Sequence, residues 1–134
     1  MYRLRFAFPC ALMALLLDGC GSSKPRADFG QFTKEFVETT LALSPVTATS
    51  AGYHEHDGQS LDVLLDDYSA AGLERQRRHW NGWRQRLADM DDRELDASSR
   101  ADLDLMKGQI DLALLELHPI KNWQRNPTLY VELL

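Results

Sequence analysis

The sequence has little cysteine, no long hydrophobic run and no surplus of basic charge. Its two cysteines, Cys10 and Cys20, lie in the first twenty of 134 residues, so the remainder of the chain can form neither a disulfide nor a thiolate nucleophile. The apolar stretch from Phe6 to Leu17 has twelve residues, well short of the ~20 residues that span a bilayer as a helix. The 15 Lys+Arg against 20 Asp+Glu give a net charge of −5, which argues against a nucleic-acid partner.

The overall composition is that of one folded domain. Hydrophobic residues make up 44% of the chain, too many for an intrinsically disordered protein, and the 8 Gly and 5 Pro are too few for a fibrous one. A length of 134 residues corresponds to a single domain at the usual ~100–200 residues per domain. We therefore expect one globular unit after any targeting segment has been removed.

The first nineteen residues have the pattern of an export signal. Arg3 and Arg5 form a short basic start, and the stretch from Phe6 to Leu17 has the length of the hydrophobic part of a signal peptide. A signal of this kind is cleaved on export. We therefore predict a signal peptide over residues 1–19 that takes no part in the fold.

The residues that follow resemble the processing site of bacterial lipoproteins. Leu17-Asp18-Gly19-Cys20 places a small residue before the cysteine, although the lipoprotein pattern prefers a small uncharged residue where Asp18 stands. The resemblance implies that Cys20 carries the lipid that anchors the protein to the membrane, and that residues 20–27 form a polar tether. Gly21 stands in place of the aspartate that retains lipoproteins in the inner membrane. The implied location is the periplasmic face of the outer membrane.

Helical periodicity begins after the tether. Phe29, Phe32 and Phe36 recur at steps of three and four, which predicts an amphipathic helix that begins at Asp28 and ends before Pro45. We interpret the three phenylalanines as core residues of this helix.

A short helix and a loop are predicted next. Ser44 and Pro45 are a cap and a first-turn proline, and Gly52 ends the helix that they begin. Residues 53–68 have the composition of a loop.

Three residues of this loop are candidate metal ligands: His54, Glu55 and His56. The helical zinc motif needs its two histidines one turn apart on one face, whereas residues two apart on a helix point to different sides. In an extended segment the two histidines would share a face, but two donors are too few for a dedicated site. We therefore assign no metal ligand and interpret the segment as a solvated loop.

Two long helices are predicted to pair as a hairpin. Ser69 caps the first helix, which runs to Met90, while Ser99 and Asp102 form a capping box for the second, which ends at Pro119. The apolar face of the first helix consists of Leu73, Trp80, Trp83, Leu87 and Met90. The apolar face of the second consists of Leu103, Met106, Ile110, Leu114 and Leu117. Facing stripes of this kind are typical of antiparallel helix packing.

The order of these pieces resembles the N-terminal region of the bacterial family catalogued as domain of unknown function 885. The resemblance covers roughly residues 28–134 and rests on Ser44-Pro45, on residues 65–69 before the hairpin, and above all on the segment from Trp123 to Tyr130. It implies an exported or lipid-anchored protein related to metal-dependent peptidases, whose His-Glu zinc motif lies in a distal half. That motif has no counterpart in this sequence, so zinc is expected for the full-length family only and this chain by itself is predicted to be inactive.

The sequence thus predicts an all-α fold, an antiparallel helical array with a long helical hairpin and no sheet. Residues 28–134 would be the helical N-terminal region of a larger domain. Residues 130–134 end in an apolar helical pattern without a glycine cap or polar tail, which predicts a truncated reading frame. An apolar C-terminal surface would then be exposed, and would normally pack on the missing C-terminal region.

Two functions are compatible with this organisation. The first is a non-catalytic part of a hydrolase-like envelope lipoprotein. The second is a small helical interaction module, anchored in the outer membrane, that acts through its exposed apolar seam. No catalytic or cofactor-binding residue is assigned in either case.

Overall fold

The computed structural model describes the backbone of residues 24–132 and the side chains of residues 28–131. The predicted signal peptide and Cys20 lie outside these residues. The elements in chain order are α1 Lys24–Leu41, α2 Pro45–Ser50, β1 Glu55–His56, β2 Gln59–Ser60, α3 Ala70–Ala88, α4 Ala97–Leu115, a π-helical turn Glu116–Ile120, α5 Asn122–Arg125 and α6 Thr128–Glu132. The prediction of a mostly helical, antiparallel array is confirmed.

The prediction of no sheet is wrong at one place. Strands β1 and β2 form a two-residue antiparallel ladder, in which Glu55 lies opposite Ser60. The two residues between them, Asp57 and Gly58, have φ angles of 48° and 76°, the left-handed conformation of a tight hairpin turn. Asp-Gly between short polar strands is the recognised signal for this turn, so residues 53–60 are a hairpin rather than an irregular loop.

Helix α1 begins earlier than predicted, and α2 begins where predicted but without its predicted cap. Helix α1 begins at Lys24, so its first turn occupies the C-terminal part of the predicted tether. Pro25 is compatible with this position because the first turn of a helix needs no N–H donor. Helix α2 begins at Pro45 as predicted, but the side chain of Ser44 makes no capping hydrogen bond.

Of the two helices of the helical hairpin, α3 has its predicted cap and α4 has a different one. The Ser69 hydroxyl accepts a hydrogen bond from the backbone N–H of Gly72 at 3.1 Å, as expected for α3. The prediction that Ser99 caps α4 is wrong. The helix begins earlier because the carboxylate of Asp96, in extended backbone, accepts the N–H of Ser99 at 2.8 Å.

The end of the second hairpin helix is less abrupt than predicted. The α-helical geometry of α4 stops at Leu115, but the chain continues through Pro119 in the wider π-helical turn. This turn ends at Lys121, whose φ of 52° is left-handed. A proline lacks the N–H that would continue an α-helix, and the wider turn carries the chain past it.

The core lies between α1, α3 and α4. Its buried residues are Phe29, Phe36, Trp80, Trp83, Leu87, Leu103, Met106, Ile110 and Leu114. The rings of Phe32 and Phe36 each meet the Trp83 ring edge to face, with centroids 5.2 Å apart. Leu73, predicted on the same seam, is only half-buried and lies outside this cluster, beside Leu117 in a shallow cavity at the other end of α3.

Two further buried residues lie in α2 and directly after the β1–β2 hairpin. Ala48 and Leu61 are almost fully buried, and the backbone N–H of Tyr53 donates to the Ala48 carbonyl at 2.8 Å. Gly52 provides the positive φ of 80° that this helix end requires. None of the helices in the described part of the chain is long and apolar enough to cross a membrane.

Candidate functional site

The two histidines that are candidate metal ligands lie in and directly before the β1–β2 hairpin. Each is hydrogen-bonded to a neighbouring side chain. His54 Nδ1 lies 2.8 Å from Asp62 Oδ1, and His56 Nδ1 lies 2.8 Å from the Tyr53 hydroxyl. The hydrogen bond from His54 and a second one from Thr49 hold the pKa of Asp62 below its usual range. Among residues 28–131, no group of three or more His, Cys, Asp or Glu side chains is arranged to hold a metal ion.

A third histidine is built into the packing of α1 against α3. His79 Nε2 lies 3.1 Å from the Thr40 hydroxyl, and its ring meets the Trp80 and Trp83 rings edge to face. Burial lowers the pKa of His79 to about 4, so the imidazole is neutral at pH 7. This neutral, half-buried imidazole connects α1 to α3 through Thr40.

The arginines of α3 do not form an anion site. Each of five guanidinium groups is paired with a carboxylate of this chain. The pairs are Arg75–Asp67, Arg77–Glu74, Arg78–Glu74, Arg84–Asp111 and Arg86–Glu35. The last pair joins α3 to α1 with two hydrogen bonds of 2.7 and 2.8 Å, while the same guanidinium lies 3.9 Å from the Trp83 ring centroid.

The most unusual surface feature is a second apolar face on α4. Leu105, Leu112 and Leu115, which we call the outer face, are 72%, 50% and 46% exposed. Leu105 and Leu112 each follow a buried core residue, Leu103 and Ile110, by two positions, which on an α-helix is about 200° of rotation. Helix α4 is therefore apolar on two opposite sides, and only one side is covered by the described part of the chain.

The outer face was not predicted from the sequence, although the signal for it is present. Leucines at steps of seven and three recur on α4, interleaved with the stripe that forms the core. A helix at the surface of a domain normally carries one apolar stripe, and a helix that is apolar on both sides is normally buried. The outer face is thus the part of the molecule that most resembles a covered surface.

Carboxylates border the outer face on both edges. Asp102 and Glu116 lie on one edge, and Asp104 and Asp111 lie on the other. Asp104 and Asp111 have cations near them within the chain, Lys107 at 3.9 Å and Arg84 at 2.8 Å.

The C-terminal segment, which carries the sharpest part of the family resemblance, folds back on itself. The Tyr130 hydroxyl donates to the Trp123 carbonyl at 2.6 Å, and the Asn126 side chain accepts the Thr128 N–H at 3.1 Å. The Tyr130 ring meets the Tyr68 ring edge to face at 5.9 Å. Hydrogen bonds thus close the segment from Trp123 to Tyr130 on itself, and the Tyr130 ring attaches it to the turn before α3.

A cavity of about 180 Å³ lies between the C-terminal segment and the helical hairpin of α3 and α4. Its lining is mixed, with the amides of Gln76, Gln109 and Asn122, the Glu116 carboxylate and the Trp123 ring. Leu112 also lines the cavity, so the cavity adjoins the outer face. Ile120, Tyr130 and Val131 are also exposed in this region, by 43%, 46% and 69%.

Cys20, the predicted lipid site, lies outside the described residues. The structure brings Tyr130 to Trp123 within the segment that carries the resemblance, and it leaves His54 and His56 with their own hydrogen-bond partners. No protein-family model, curated protein or solved structure matches this chain.

Proposed function

We propose that this chain is a lipid-anchored helical docking module of the bacterial cell envelope, and that the outer face of α4 binds another helical body. The observation that carries the proposal is the exposure of Leu105, Leu112 and Leu115 opposite the core stripe of the same helix. Burying apolar surface is favourable by roughly 25 cal/mol per Å², so three exposed leucines in line favour a partner. The surface offered is about 15 Å long, three helical turns.

The envelope location is supported by the sequence. The basic start, the apolar stretch and Gly19-Cys20 resemble a lipoprotein signal, and a lipid on Cys20 would hold the module at the periplasmic face of the outer membrane. In such a position the docking surface stands off the membrane on its own helical body.

A second candidate function is the helical part of a larger hydrolase-like lipoprotein, in which the covering body is the catalytic half. The observation that favours it is the closed segment from Trp123 to Tyr130, the part of the chain that resembles domain of unknown function 885. Under this proposal the zinc and the His-Glu pair belong to the other half. The genomic sequence directly downstream of Leu134 separates the two proposals, because a continuation that encodes a His-Glu metal motif supports the second.

A photo-crosslinking amino acid placed on the outer face tests docking in living cells. With the cross-linker at Leu112, we expect an adduct to a second polypeptide segment after irradiation. The matched control is the cross-linker at Leu65, which is 74% exposed but lies in the loop before α3. Equal adducts at both positions, or no adduct at Leu112, would contradict the proposed function.

A further inference from the structure

The charges around the outer face indicate what kind of helix it binds. We propose, resting on the docking function above, that the partner is an amphipathic helix whose apolar stripe is bordered by lysine or arginine. The partner stripe covers the outer face, and the basic side chains meet the carboxylates along both edges of α4. The inference goes beyond the apolar surface itself, because it selects among partners of equal hydrophobicity.

The first step of the argument is the position of the carboxylates. On a helix that pairs with another helix, the residues bordering the apolar stripe face the bordering residues of the partner and set partner choice. Here those residues are Asp102 and Glu116 on one edge, and Asp104 and Asp111 on the other. One edge thus has a carboxylate near each end, Asp102 in the first turns of α4 and Glu116 directly after it, and the other edge has Asp104 and Asp111.

The second step is the state of these carboxylates within the chain. Asp104 and Asp111 remain 73% and 72% exposed although Lys107 and Arg84 lie near them, so they stay open to a further cation. Within residues 28–131, neither Asp102 nor Glu116 forms an ion pair.

The cations of α4 do not reverse this pattern. Lys107 lies away from the outer face, towards the side of Asp104 to which it is paired. Arg100 donates to the backbone carbonyls of Asp92 and Leu95, at the start of the helix. Arg84 of α3 is the other cation at these edges, so four carboxylates stand against two cations, and the negative balance favours a cationic partner.

The same charges disfavour two other occupants. A second copy of this chain would bring acidic edges against acidic edges in either a parallel or an antiparallel pairing, because both edges carry carboxylates. An anionic lipid surface is disfavoured for the same reason, since membrane-binding faces are bordered by Lys and Arg rather than by Asp and Glu. A basic amphipathic helix is the occupant that satisfies both the leucines and the carboxylates.

The test uses three synthetic amphipathic peptides, about 18 residues long, which gives roughly five helical turns. All three have the same leucine stripe, and their bordering positions are lysine, glutamine or glutamate. Binding to residues 21–134, which contain the whole described core, is measured by fluorescence anisotropy. We expect the lysine peptide to bind about tenfold or more tightly than the glutamate peptide, with the difference shrinking at high salt.

Variants of the protein locate the binding. The double variant Asp102→Asn with Glu116→Gln should weaken the lysine peptide about fivefold or more and leave the glutamine peptide unchanged. Leu105→Ser with Leu112→Ser should abolish binding of every peptide, whereas the control Leu65→Ser should change nothing. A lysine peptide of the same composition in scrambled order reports non-specific attraction to an acidic protein.

The outcomes separate this proposal from the proposed function. Equal binding of the three peptides at the outer face, or failure of all three while the Leu112 cross-link forms, overturns the basic partner and leaves docking intact. Sedimentation of residues 21–134 as a dimer that Leu105→Ser disrupts also overturns it, in favour of a second copy. Loss of the cross-link and of all peptide binding overturns docking itself.

Discussion

Trp80 and Trp83 are the residues on which the packing of α1 against α3 most depends. Their side chains are 7% and 4% exposed, and both rings contact the phenylalanines of α1. A tryptophan truncated in a packed core loses its own burial and leaves a cavity. The sequence prediction that both belong to the buried seam is confirmed.

We expect Trp80→Ala or Trp83→Ala to lower the free energy of unfolding by about 3–5 kcal/mol, a large share of the stability of a small domain. The measurement is the urea midpoint of residues 21–134. Leu65→Ala is the control, because a 74% exposed side chain contributes within about 0.5 kcal/mol. Midpoints equal to that of the parent in both tryptophan variants would contradict the packing described here.

His79 makes stability depend on pH. Burial lowers the pKa of His79 to about 4 in the folded protein, below the ~6.5 of an unfolded chain. Between these values the unfolded state binds more protons, so this contribution to stability is fully present above pH 6.5 and is lost as the pH falls towards 4. Because His79 is only partly buried, solvent screening reduces the expected loss, which is on the order of 1–3 kcal/mol.

The variant His79→Gln isolates this effect, because the amide keeps a hydrogen-bonding group near Thr40 and does not titrate. We expect the urea midpoint of the parent to fall between pH 6.5 and 4 more steeply than that of the variant. Carboxylates whose pKa is lowered, such as Glu35 beside Arg86, contribute equally to both proteins and cancel. Parallel pH profiles would show that His79 has the same pKa in the folded and unfolded protein, and would contradict this prediction.

At the scale of elements, the start of α3 is fixed by a close approach of two backbones. A Cβ on Gly72 would overlap the carbonyl oxygen of Asp67. That carbonyl cannot easily move, because the Asp67 carboxylate accepts the Ser69 N–H at 2.8 Å and is paired with Arg75. Hydrogen bonds from the Ser69 hydroxyl, the Ser69 N–H and Arg75, in decreasing order of effect, hold the pKa of Asp67 down to about 2.

Gly72→Ala and Gly82→Ala should therefore change the free energy of unfolding in opposite directions. Gly82 lies in the same helix with nothing within 4 Å of a Cβ, so alanine there should stabilise the protein by about 0.5–1 kcal/mol through helix propensity. Alanine at Gly72 should destabilise it by about 1–3 kcal/mol, because the added methyl group forces the turn before α3 to shift. Thermal unfolding of both variants checks this, and two shifts of the same sign would contradict it.

The elements also show where local signals compete. Ser99 with Asp102 is a valid capping pattern, yet Asp96 lies three residues earlier and caps the helix in its place. Asp57-Gly58 is a hairpin signal, but the strands beside it are too short and polar to show the usual alternation of a strand. In both cases the local pattern admitted two structures, and the packing around it selected one.

At the scale of the whole molecule, the prediction on which envelope location depends is lipidation of Cys20. Cells fed a palmitate analogue should label the wild-type protein and not Cys20→Ser. Asp18→Ala should speed processing, since it restores the small uncharged residue typical of lipoprotein signals. Label on both the wild type and Cys20→Ser, or on neither, would contradict the anchor.

The second whole-molecule prediction concerns metal. A catalytic zinc site needs three protein ligands around one ion, whereas His54 and His56 are each bound to a neighbour in the short hairpin. We expect residues 21–134 to retain no stoichiometric zinc after dialysis against a weak chelator and to hydrolyse no fluorogenic peptide. Tightly held zinc that is lost in His54→Ala or His56→Ala would make the hairpin a metal site.

Much of the fold follows from the sequence alone. The spacing of Phe29, Phe32 and Phe36, and the facing stripes of α3 and α4, specify helices because burying an apolar stripe is the largest favourable contribution to folding. Export and lipidation are predicted from short linear signals, and these predictions do not depend on the tertiary structure.

The tertiary structure decided which apolar residues are covered. Leu105 and Leu114 are equally hydrophobic in the sequence, yet one is 72% exposed and the other 9%, because α1 and α3 pack on a single side of α4. This arrangement leaves the outer face and the acidic residues beside it uncovered in the described part of the chain. Burial depends on which neighbours a helix acquires, and these depend on contacts between residues far apart in the chain.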